Sequence, residues 1–168
     1  MNPFEPYSTA KGYGQSAFLI MSNPQRSELR NDIPFVLSVH MLVGFAVELY
    51  AKAVLADAGF SEDDLAKRPF GHDLRQLHAA CVAEGFSNEG LQWLVELVGD
   101  MHKDLGFRYV KPSANYTAGN PKRVFASLSD LDIAVDFRIG ASAAGKAPSS
   151  GWVLPPSLAG WHLPNDPA

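Results

Sequence analysis

From Ile33 to Ala58 the chain is apolar on nearly every face, and its few exceptions fall four residues apart: His40, Gly44, Glu48 and Lys52. A stretch that is apolar all round at this length reads as the central helix of a bundle. Asp32 is placed to cap it, Pro34 fits its first turn, and Gly59 closes it. The surrounding pattern is helical as well. Residues 10–23 read as a first helix weakened by Gly12 and Gly14. Residues 72–83 carry Leu74, Leu77, His78, Cys81 and Val82 on one face and stop at Gly85. A further helix, from the cap candidate Ser87 to about Leu105, has the stripe Leu91, Leu94, Val95, Val98, Met101 and Leu105. After an irregular stretch with one short extended piece (107–121), a last helix covers 121–139 with Val124, Leu128, Leu131 and Val135 together. No strand signals of the kind that build a sheet occur, so the expected fold is all-α, an up-and-down bundle of four to five helices over residues 1–140. Residues 141–168 are rich in Ala, Gly, Pro and Ser and read as an irregular tail, which Trp152, Leu154, Leu158 and Trp161 would pin to the bundle or to a second chain.

The exceptions on the central helix form a ridge, each residue drifting about 40° from the last. Glu48 and Lys52 are an i,i+4 pair in the favourable order. Gly44 and Ala51 are small enough to let another element approach. Twelve residues beyond that helix, Gly71-His72-Asp73 opens the next. Asp73 is accounted for as a cap at the positive end of a helix. His72 is a poor cap and is free to hydrogen-bond a carboxylate, of which Glu48 is the obvious one.

Composition narrows the function classes. The 168 residues are 46% hydrophobic and 19% charged, as expected of one globular domain. A net charge of −4 and a pI near 5.7 argue against sequence-independent attraction to nucleic acid, though not against a local basic pocket. Cys81 is the sole cysteine and reads as a small buried apolar residue. No signal peptide is expected, and the run Ile33–Leu49 is read as too short and interrupted for a membrane span, so the expected location is the cytoplasm.

Familiar catalytic patterns are missing. There is no phosphate-binding G-x-x-x-x-G-K loop and no G-x-S-x-G elbow. Histidines 40, 72, 78, 102 and 162 include no helical H-x-x-x-H pair, so no metal and no cofactor are expected. The acid pairs Asp100/Asp104 and Asp132/Asp136 read as solvated helix faces.

The segments F-A-V-E-L-Y-A-K-A (45–53), G-H-D-L-R-Q-L (71–77) and F-R-Y-V (107–110), in that order, resemble the helical HEPN domains (higher eukaryotes and prokaryotes nucleotide-binding) over about residues 30–140. The resemblance implies a bundle, a homodimer, and a nucleotide or RNA ligand held by Glu48, Lys52, His72, Arg108 and Tyr109. It also implies a defence or toxin–antitoxin setting, with an antitoxin or nucleotidyltransferase as partner protein and no membrane. Ribonucleases of that family carry Arg and His with four to six residues between them. Here Arg68 and His72 are separated by three residues, Arg75 and His78 by two, and Arg108 has no histidine in the fifty residues after it. The expectation is therefore binding with little or no ribonuclease activity. The alternative is a dimerisation or protein-interaction domain whose charged cluster is structural.

Overall fold

The computed structural model describes residues 1–23, 32–108 and 116–145. Among the described residues six helices follow one another: α1 Phe4–Ser22, α2 Ile33–Asp57, α3 Glu62–Ala66, α4 Leu74–Ala83, α5 Glu89–Lys103 and α6 Pro121–Ile139, with a 3-10 turn at Gly106–Arg108 between α5 and α6. No strand occurs among the described residues, and the architecture is an all-α bundle. α2 is its axis, packed against α1, α4, α5 and α6.

The caps explain most boundaries. Asp32 accepts the Phe35 N–H at 3.1 Å to open α2, and Gly59, at φ +101°, lets the Phe60 N–H return to the Leu55 carbonyl. α4 begins at Leu74 rather than His72, because Asp73 is its N-cap and accepts from the N–H groups of Arg75 and Gln76. Asn88, not Ser87, caps α5. Gly140 ends α6 in the left-handed region.

Other boundaries depart from the pattern. α1 begins at Phe4, six residues earlier than expected, because Tyr7, Ala10, Lys11, Gly14 and Ala17 give it a buried face that outweighs the low helix propensity of its glycines. α3 is a single capped turn: Ser61 and Asp64 satisfy each other's backbone N–H groups. Val82, expected on the buried face of α4, is exposed. Ala141, expected in the tail, is fully buried. α2 spans 25 residues, longer than the run read from the sequence, and its length and composition alone would let it cross a membrane.

The core is built from side chains such as Val47, Tyr50, Val54, Leu77, Leu94, Phe125, Leu128 and Leu131. One polar network lies inside it. Asp132 on α6 accepts from Lys11 of α1 at 3.0 Å and from the Tyr50 hydroxyl of α2 at 2.8 Å. Asp132 is wholly buried and Asp136 binds Ser142, so this acid pair is not the solvated face expected from the sequence. Burial, with Asp132 alongside, pushes the phenols of Tyr7 and Tyr50 far above their ordinary range and keeps them protonated. Cys81 is buried, and burial raises its thiol to about 12, so it stays an unreactive thiol.

Candidate functional site

Glu48 lies about two-thirds of the way along the 25-residue α2 and is only 4% exposed. A carboxylate there persists only if its charge is matched. Three groups match it. Lys52, one turn on, donates to Oε1 at 2.6 Å. His102, at the end of α5, places Nε2 2.6 Å from Oε2. His72, in the turn before α4, places Nδ1 2.9 Å from the same oxygen. Burial alone would raise the Glu48 carboxyl, but the hydrogen bonds from His102, Lys52 and His72 and the Lys52 charge outweigh it and hold it down to about 2.

The two rings differ in setting. His102 is 2% exposed and its ring meets Phe45 edge-on, the centroids 5.1 Å apart. Gly44 makes its position possible, since a Cβ on residue 44 would stand 2.5 Å from His102 Nδ1. His72 is half exposed and stands edge-on to His102, the centroids 6.0 Å apart. Its turn is tied down on both sides: the Gly71 N–H bonds the Lys67 carbonyl, and Asp73 takes the Lys103 ammonium at 2.7 Å while capping α4. Arg75 and Asp100 join α4 to α5 through two further bonds of 3.1 and 3.2 Å.

With Nδ1 committed to Glu48, the Nε2 of His72 has no partner among the described residues. His72 lines an open cleft of about 600 Å³ together with Arg68, Phe70, Asp73, Gln76 and Lys103. Arg68 is exposed on that wall and makes no hydrogen bond or ion pair among the described residues. The cleft therefore offers one unengaged guanidinium and one oriented imidazole.

The fold thus brings Glu48, Lys52 and His72 together. Arg108 makes no bond to them among the described residues: it is exposed at the end of the 3-10 turn and lines a small apolar pocket with Phe45, Phe107 and His102. Tyr109 lies outside the described residues. His102 is the member that the sequence reading missed, although its position four residues beyond Val98 puts it on the buried stripe of α5. A histidine in such a stripe signals a buried partner.

Two turns earlier on α2, His40 is fixed differently. Its Nδ1–H donates to the Val36 carbonyl at 2.9 Å and its Nε2 accepts the Gly119 N–H at 3.2 Å. Burial holds it below the ordinary histidine range, hence neutral. His40 belongs to the ridge in sequence but not to the cluster around Glu48.

Comparison of the chain with protein-family models, with curated proteins and with solved structures finds no match.

Proposed function

We propose that this chain is a HEPN-like module that binds the phosphate of a nucleotide or of RNA in the cleft beside His72. One observation carries the reading: a buried carboxylate fixes one nitrogen of His72 and leaves the other to a cleft where Arg68 is unengaged. Arg68 suits two oxygens of a phosphate, and His72, when its ring carries both protons, presents Nε2–H to a third. A carboxylate behind an imidazole is also how acid–base histidines are oriented. Binding without robust cleavage is nonetheless expected, because no second catalytic side chain accompanies His72 at the family's Arg–His spacing. The same reading takes the protein as a cytoplasmic homodimer in a defence or toxin–antitoxin system, with an antitoxin or nucleotidyltransferase as its partner protein.

The test is titration of mononucleotides and single-stranded RNA into wild type, Arg68→Ala and His72→Ala, with cleavage followed in parallel. Wild-type binding that weakens several-fold in both variants, without strand scission, supports the reading. Equal affinities in all three proteins would sink it. A second reading is favoured by the saturation of Glu48, whose two oxygens are both taken. On that reading the cluster only joins α2, α4 and α5, and His72→Ala lowers stability while binding nothing less.

A further inference from the structure

We propose that Glu48, His72 and His102 form a site for a divalent transition-metal ion, with Glu48 Oε2, His72 Nδ1 and His102 Nε2 as donors. Those three atoms all lie within 4.8 Å of one another. They come from three separate segments, α2, the turn before α4 and the end of α5, which is why a search for helical histidine pairs does not find them. The inference does not rest on phosphate binding in the cleft.

The geometry exceeds what joining helices requires. Lys52 already balances the Glu48 charge, and one ring would satisfy the remaining oxygen. Instead both rings aim at that single oxygen, and the second is accommodated only because residue 44 has no side chain. Two imidazoles and a carboxylate are the donor set that zinc, iron, cobalt and nickel accept, with positions left open for water or an anion. A zinc ion sits about 2.0–2.2 Å from such donors, which spaces neighbouring donors about 3.3–3.5 Å apart in a tetrahedral site. The separations of Oε2 from the two nitrogens are 2.6 and 2.9 Å, so each of these two pairs has to open by only about 0.4–0.9 Å, and the nitrogens lie within 4.8 Å of each other. His72, half exposed on its turn, is the donor free to give way and the side from which an ion enters. Lys52 stays on Oε1 as the outer partner that aims the carboxylate, and its charge tempers the affinity.

Ligation moves protons within the rings. Each imidazole gives up the proton shared with Oε2 and carries one on its other nitrogen, so His72 becomes protonated at Nε2 and His102 at Nδ1. This inversion of tautomers is visible in long-range proton–nitrogen NMR spectra of the imidazoles and needs no activity assay.

The experiment uses the full chain without a histidine tag. Co2+ and Zn2+ are titrated separately, Co2+ followed by its visible d–d absorption and Zn2+ by calorimetry and the imidazole spectra. The expected result is one equivalent bound, inversion at His72 and His102, and no change at His78. In His72→Ala, which alters a half-exposed residue, affinity should fall by more than the roughly 10–100-fold typical of losing an outer-shell partner. Wild type that takes up no ion, binding undiminished in His72→Ala, or ring spectra unchanged by Zn2+ would each overturn the proposal. Should His72→Ala lose helical circular dichroism, the wild-type imidazole spectra decide alone.

Discussion

At Gly44 a single absent side chain decides where a histidine stands. Gly44→Ala would place its Cβ 2.5 Å from His102 Nδ1, so the buried ring, in edge-on contact with Phe45, has to shift. Overpacking of this kind costs about 1–3 kcal/mol, read as a lower urea midpoint. Gly44→Ala with His102→Ala should cost less than the sum of the two single changes, because the clash is then gone. Two other residues set the acid response. The Glu48 carboxyl, held at about 2 against 4.5 when free, binds fewer protons folded than unfolded, so its contribution is present above pH 4.5 and is lost as pH falls towards 2. His40 also binds fewer protons folded, so stability begins to fall once pH drops below the ordinary histidine range. Urea midpoints measured from pH 8 to pH 3 should therefore fall in two stages, and His40→Gln should shrink the first, to which His78, also held down by burial, contributes as well. The pairing of Glu48 with His72 could be anticipated from the sequence, since a charge on an all-apolar helix demands a partner and His72 lacks another role. The contribution of His102 was harder to see, because it looks like one more position in an apolar stripe.

The helices themselves were legible wherever period and cap agreed. α2 and α6 begin and end close to the positions their Asp, Pro and Gly signals indicate, and the stripe of α6 and that of α5 as far as Val98 are buried as read, whereas Met101 is only partly buried and Leu105 lies beyond the end of α5. What propensity concealed was the start of α1, since the helix was read only from residue 10 while its packing along α2 extends it back to Phe4. It also concealed the linkage of α1 to α6, since Lys11 and Asp132 each look like ordinary surface charges until the fold closes over them. The side chains of this pair are 9% and 1% exposed. Asp132→Asn leaves the Lys11 charge buried without its carboxylate and should cost about 3–5 kcal/mol in denaturant unfolding. Lys11→Met added to that variant should recover most of the loss, since a buried ion pair contributes little net stability over an apolar substitute. An Asp132→Asn protein as stable as wild type would show that water reaches the pair.

For the whole molecule, the expected homodimer is tested by light scattering at micromolar concentration and by deleting residues 141–168. A dimer that persists unchanged after deletion removes Trp152, Leu154, Leu158 and Trp161, which lie outside the described residues, from the interface. A monomeric full chain removes the dimer itself. The fold class was readable because helical periodicity is local, whereas the cluster around Glu48 depends on which segments meet, and spacing along a chain carries little of that. The buried bond between Lys11 and Asp132 joins residues 121 apart in sequence. Protein synthesis therefore exposes α1 long before the carboxylate that completes it has been made. Until then Lys11 has to stay hydrated, which keeps the first helix from settling fully on α2 while the ribosome is still at work. The bundle closes late, after α6 emerges, and a Lys11→Met/Asp132→Asn chain, freed of that wait, should become protease-resistant at shorter nascent lengths than wild type.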